Sequence, residues 1–457
     1  MKKILALALA MLLVLAVFAG CAAKQTTQQT ADTPADAPKS DPAADAASDP
    51  EQPAASGEKK TVKIFQYKVE IADQLLALAD EYMQLHPEIN LVVESVDSTD
   101  YNTLLKTKFA SGEAPDIFNN QGYTEFELWQ SKLEDLSDQP WVSNMAEFTK
   151  EGISDADGKI YGLPLYLEGY QFCYNVKLFE KAGITELPRT LDELEAVCTQ
   201  LEDAGIPAII NSLGSWYNMG VFGANVAVAH QPDVKAFIEN VTNGTENFET
   251  NEVFNEWVDL VDLMLRHTYK DPLTTSFSYK DPLTTSFSDQ ISRMANEEAA
   301  ITLCNNGAWL SFMQINPDIE VGYFSIPINN DADYNDVLFA GVSTYWVVNN
   351  ESESKQEAKE FLDWLTSSER GQYYLVQEFG FVSGLTSIPA PEEYVGPLSA
   401  AVAEAVAAGK TLGWEWPRYP AGMTEEFGVG IQKYASGACT KEQMLEGFTQ
   451  SWHNLAG

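Results

Sequence analysis

The chain has 457 residues, of which 67 are Asp or Glu and 28 are Lys or Arg, giving a formal net charge of −39. So acidic a balance argues against nucleic acid as a partner and against a basic membrane-binding face, since both need clustered cations. It fits an exported globular protein, and the length exceeds what one hydrophobic core usually serves.

Met1-Lys2-Lys3 is a short basic start, residues 4–18 are apolar but too few for a spanning helix, and Ala19-Gly20 places small residues before Cys21. This predicts a lipoprotein signal peptide over 1–20, with Cys21 as the lipid-bearing mature N-terminus. A thioether diacylglycerol with one added acyl chain would hold the protein on the outer face of the cell membrane. Residues 22–58 contain no aromatic, Ile, Leu, Val or Met, so 21–58 is expected to be a disordered tether. A flexible chain of that length would keep the folded part roughly 35 Å from the bilayer.

From Lys59 the signals alternate. A strand is predicted at 61–65, a helix through Leu75, Leu78, Ala79 and Tyr82, a strand at 91–96, a helix ending at Gly112 and a strand beginning at Pro115. Strand, helix, strand, helix, strand implies a parallel sheet, whose ligands sit beyond the carboxyl ends of its strands. That rule selects Tyr67 and Glu70 in one loop and Asn120 and Tyr123 in another. Farther on, Asp157-Gly158 marks a turn, an apolar run with aromatics follows, and a helix after Tyr174-Asn175 ends at Gly183. Thr190 with Glu193 three positions later forms a capping box for the next helix. A strand is expected at 206–210, with Trp216 and Tyr217 in the loop after it. Residues 269–278, YKDPLTTSFS, recur unchanged as 279–288, a copy too short for a solenoid and expected in a surface loop.

Asp157-Gly-Lys-x-Tyr-Gly-Leu-Pro164, then Tyr174-Asn-x-x-Leu-Phe-x-Lys-Ala-Gly-Ile184, resembles the central signature of the family-1 extracellular solute-binding proteins. Those are the sugar-binding subunits of ABC importers. Gly112-x-x-Pro-Asp-Ile117, Pro188-x-Thr-x-x-Glu-Leu194 and Gly307-Ala-Trp309 resemble further family segments in the same order, so the likeness spans nearly all of 59–457. It implies an α/β, two-lobed periplasmic-binding-protein fold, each lobe a mainly parallel sheet flanked by helices and joined by hinge crossings. Residues 59–167 with about 340–378 would form lobe 1, and 168–339 with about 379–457 would form lobe 2. It also implies a monomer that captures a carbohydrate between the lobes and passes it to permease subunits, with no cofactor of its own.

A sugar needs bidentate polar partners for its hydroxyls and aromatic rings for its C–H faces. The resemblance supplies Glu168, four residues after the motif proline, and Trp309 with Asn306 three residues before it. Trp216, Tyr217, Trp416 and Tyr419 match the family by neighbourhood. At Tyr67, Glu70, Asn120 and Tyr123 the chain departs from the Asp, Lys, Trp and Arg of maltose-binding members, so maltose is not implied. Trp257, Trp346, Trp364 and Trp452 read as core.

A sugar-sensing receptor or adhesin of the same fold is the main alternative, and a carbohydrate-active enzyme a weaker one. There is no Gly-x-Ser-x-Gly, His-Glu-x-x-His or phosphate loop, and the four histidines are scattered. Asp155-x-Asp157-Gly158 and Asp331-x-Asp333-x-Asn335 resemble parts of calcium loops but lack the remaining carboxylates or the glycine. Cys173, Cys198, Cys304 and Cys439 lie in apolar contexts without C-x-x-C spacing and read as free, buried thiols.

Overall fold

A computed structural model describes residues 59–268 and 283–457 of the chain. Cys21, the proposed tether and most of the tandem repeat lie outside the described residues. Nine strands form one continuous sheet: β1 (Lys60–Gln66), β2 (Ile89–Ser95), β3 (Ile117–Asn120), β4 (Gly162–Asn175), β5 (Ile209–Ile210), β6 (Ile301–Asn305), β7 (Val321–Phe324), β8 (Leu338–Val348) and β9 (Thr411–Leu412). Their order is β2-β1-β3-β8-β4-β6-β5, with β7 on β4 and β9 on β8. β1 runs parallel to β2 and β3, whereas β8 is antiparallel to β3 and β4.

Two large cores flank this sheet. The first gathers Val62, Ile64, Phe65, Phe118, Trp346 and Phe361. The second gathers Phe172, Phe254, Trp257, Phe427 and Trp452. β4 and β8 serve both, since Leu163, Leu165, Tyr345 and Trp346 enter the first core and Tyr170, Phe172 and Phe339 the second. The result is the two-lobed α/β fold expected above, but not with a mainly parallel sheet in each lobe: one mixed sheet runs through both, and β4 is antiparallel to β6, β7 and β8.

Local chemistry accounts for the elements. Helix Ala72–Leu85 buries Leu75, Leu78, Ala79 and Tyr82, the residues a 3.6-residue period brings to one face. Helix Val176–Ala182 begins where the Asn175 side chain accepts from the Leu178 amide and ends at Gly183, whose φ of 75° suits a residue without Cβ. Thr190 and Glu193 form the capping box of helix Leu191–Asp203. The Asp155 carboxylate accepts from the Asp157 and Lys159 amides and the Tyr161 hydroxyl, which fixes the turn ahead of β4. Cys173 and Cys304 are buried together, and desolvation pushes the Cys173 thiol well up.

Three further expectations need correction. β5 covers only two residues of the predicted 206–210, because its pairing with β6 extends no farther than Ile209 and Ile210. Phe287 and Ser288 of the second repeat copy start helix Phe287–Ala295, with Ser286 as its cap, so that end of the repeat is structured by a capping box. Phe379, Phe381, Leu385, Ile388 and Val395, expected in the second lobe, pack in the first core. Gly380 does turn the chain, at φ 68°, but the change of core comes later, in helix Glu392–Ala407. There Gly396, at φ 79°, and Pro397 break the helix, after which Leu398 packs with Cys173 and Phe312, and Val402 with Leu338 and Ala340.

Candidate ligand-binding site

Where β1 ends, the chain carries Lys68 into the line between the two cores. Its amine lies 2.9 Å from Glu168 Oε1 and 3.6 Å from Glu70 Oε1, and 4.9 Å from the centre of the Tyr166 ring. Burial is the largest single influence and disfavours the ammonium, but Glu168, Tyr67, Tyr166 and Glu70 together hold the amine above its ordinary pKa. Glu168 stands on β4 opposite Gly341 of β8, and Tyr166 is stacked on Phe381 at 4.1 Å. Tyr67 donates from its hydroxyl to the Ser343 carbonyl at 3.1 Å. Asn119 fixes that loop from below, accepting from the Tyr67 amide and donating to Thr344.

An aromatic wall comes from 414–419. Trp414 packs against Gly341, where a Cβ would sit 2.5 Å from the indole, so this glycine lets the side chain reach the strand beside Glu168. Trp416 is 4.4 Å from Trp414 and 5.9 Å from Phe222. Asn225 positions the wall: it donates to the Tyr170 hydroxyl and the Gly413 carbonyl, and accepts from the Glu415 amide and Tyr419 hydroxyl. Glu415 is buried, which raises its carboxyl above the usual range despite the neighbouring Arg418. Among the described residues, the Trp414 indole nitrogen has no hydrogen-bond partner.

The predicted residues thus divide. Tyr67, Glu70, Glu168 and Trp416 fall around Lys68 and Trp414, with Glu70 the most exposed. Tyr123 meets the same boundary from the first lobe, its ring 4.2 Å from the Arg418 guanidinium. Asn306 and Tyr419 are buried and already engaged, whereas Asn120 is buried with its Oδ1 engaged and its Nδ2 without a partner among the described residues. Asn120 accepts from the Gly122 amide, Asn306 ties Gly169, Tyr166 and Ser399 together, and Tyr419 bonds Asn225. Trp309 turns elsewhere, its pyrrole edge filling the place of a Cβ on Gly396 and lining a cavity of about 640 Å³ with Ile319, Glu320 and Tyr394. Trp216 and Tyr217 form a separate edge-to-face pair, with Tyr217 on Phe287. Lys68, Trp414 and Arg418 escaped sequence reading, although a lone lysine in a strand-end loop and the Trp-Glu-Trp-Pro-Arg run were available signals.

Among the described residues, no three or more His, Cys, Asp or Glu side chains are gathered as a metal would require, and no helix is long and apolar enough to cross a membrane. The family model of bacterial extracellular solute-binding proteins matches residues 68–372. MelE of Bacillus subtilis, a melibiose/raffinose/stachyose-binding protein, is 22% identical over 348 residues, covering 74% of this chain and 78% of that protein. The multiple sugar-binding protein of Streptococcus mutans is 21% identical over 328 residues, 69% of this chain and 73% of its own. RafE from Streptococcus pneumoniae matches in fold with a TM-score of 0.73 over 88% of this chain and 100% of that one, at 17% identity. Since the family match spans more than half of its length, the chain belongs to the bacterial extracellular solute-binding proteins.

Proposed function

We propose that the protein captures an oligosaccharide at the boundary of its two lobes and presents it to the permease subunits of an ABC importer. One observation carries this reading: a buried Lys68–Glu168 pair lies beside the Trp414 and Trp416 rings, which supplies charged hydrogen-bonding groups and aromatic faces at one place. The sugar ligands in the names of MelE and the S. mutans protein favour the same class. Tyr67, Lys68, Glu168, Trp414 and Trp416 are the proposed contacts, with Glu70 at the rim. Asn120, Asn306 and Tyr419 hold these elements in place. Closure of the lobes on the ligand shifts the population toward the form the permease engages. The protein acts as a monomer, without cofactor or catalysis, and Cys21 carries its lipid anchor on the outer face of the membrane.

A thermal-shift screen of the purified protein against mono- and oligosaccharides, amino acids, polyamines and metal ions tests this. A ligand at a hundred times its Kd adds about 2.7 kcal/mol and raises the melting temperature. An oligosaccharide is expected to do so and to be recovered unchanged by chromatography. A response confined to another solute class would overturn the carbohydrate assignment, and sugar cleavage would overturn the binding-only role.

A further inference from the structure

Tyr123 is one of two non-glycine residues with positive φ among those described, at φ 51° and ψ −119°. A side-chain-bearing residue rarely adopts this backbone, and it persists only where its surroundings enforce it. Here they do. The Tyr123 amide donates to the Gly152 carbonyl at 2.7 Å, and a Cβ on Gly152 would lie 3.0 Å from the Tyr123 ring. The strained backbone aims that ring at the second lobe, where the Arg418 guanidinium lies 4.2 Å from its centre. Arg418 also reaches Glu151 of the first lobe at 2.8 Å and Glu415 of its own segment at 2.9 Å. Beside them Thr124 donates to the Pro417 carbonyl at 3.0 Å.

A planar guanidinium can stack on an aromatic face while its edge pairs with a carboxylate, and the Arg418 side chain, 20% exposed, is screened less than a surface ion would be. The contacts of Arg418 with Tyr123 and Glu151, and of Thr124 with Pro417, join protein to protein across the two lobes. Opening breaks them all, so they favour the closed state independently of any ligand contact.

We propose that Tyr123 and Arg418 form a clasp between the lobes, and that Arg418 is a positioning residue setting the closed fraction of the sugar-free protein. The consequence for affinity rests on the two-lobed capture described above, because a ligand held only by the closed form binds in proportion to that form's population. The clasp itself can be tested without sugar.

The radius of gyration from solution scattering of the full chain, sugar-free, would be compared for wild type, Arg418→Gln, Arg418→Lys, Tyr123→Leu and the Arg418→Gln/Tyr123→Leu double variant. Arg418→Gln and Tyr123→Leu should each expand the protein toward one common value, the double variant no further, and Arg418→Lys less, with the melting temperature of Arg418→Gln near wild type. Lys132→Gln, which removes an exposed pair with Glu351 inside the first lobe, should change nothing. Equal radii in wild type and Arg418→Gln, or fully additive expansion, would refute the clasp. Should Tyr123→Leu fail to fold, Arg418→Gln against Arg418→Lys still decides. Weaker sugar binding by Arg418→Gln at an unchanged sugar-free radius would make Arg418 a ligand contact instead. Expansion in a protein that binds no carbohydrate would keep the clasp and discard the carbohydrate reading.

Discussion

Deleting either member of the Lys68–Glu168 pair would leave a charge with little water around it, since the two side chains are only 10% and 14% exposed. Glu168→Leu should therefore cost on the order of 3 kcal/mol, while the Lys68→Met/Glu168→Leu double variant should recover most of that. Chemical denaturation measures the stability, and calorimetry should find sugar binding weakened at least about tenfold in both, since each lacks a charged contact. His230 makes the second residue-scale prediction. Its ring is buried 4.8 Å from Tyr334 and 5.4 Å from Phe339, Nδ1 donates to the Val226 carbonyl, and desolvation lowers its pKa from the ordinary imidazole value. The folded state thus binds that proton less readily than the unfolded chain, so the stability is complete above about pH 6.5 and is lost as pH falls through the depressed value. The melting temperature of His230→Phe should fall less steeply between about pH 7 and pH 5 than that of wild type, and equal slopes would exclude His230 as a contributor.

At the scale of elements, ends are set by neighbours three or four residues away, and this is why so many were readable. Thr190 and Glu193 satisfy each other's amides across a single turn, so the start of helix Leu191–Asp203 needs nothing distant. Thr190→Ala should cost about 1 kcal/mol and lower the melting temperature with sugar affinity unchanged, because the cap lies away from Lys68 and Trp414. Asn175 and Gly183 bound their helix by equally local means. β5 and the crossing in helix Glu392–Ala407 were less legible. The extent of β5 depends on its partner strand, and the helix breaks where its two halves pack on different cores.

In the whole molecule the two lobes have separate cores but share strands, since β4 and β8 run from one into the other. Neither core can be dismantled without releasing one end of both strands. Denaturant unfolding should therefore show one transition, with tryptophan fluorescence, which reports Trp346 in the first core and Trp257 and Trp452 in the second, coinciding with far-ultraviolet dichroism. Two separated transitions would mean that the shared strands do not couple the lobes. Closure is the complementary motion, in which the cores stay intact and only contacts at their boundary change.

By itself the sequence determined the alternation of strands and helices, the helix caps, the Asp157-Gly158 turn and the family, because each depends on residues near one another in the chain or on a run of matched motifs. Glu168 and Trp416 were within its reach for the same reason, standing in or beside segments the family keeps in order. Only the tertiary structure decided that Lys68 meets Glu168, 100 residues away, that Trp414 lies on Gly341, and that Arg418 crosses to Tyr123 and Glu151. It likewise turned Trp309 to Gly396 and used Asn306 and Tyr419 internally. Composition and spacing name the residue types suited to a sugar, but which of them face the same space is settled by how two cores pack around shared strands.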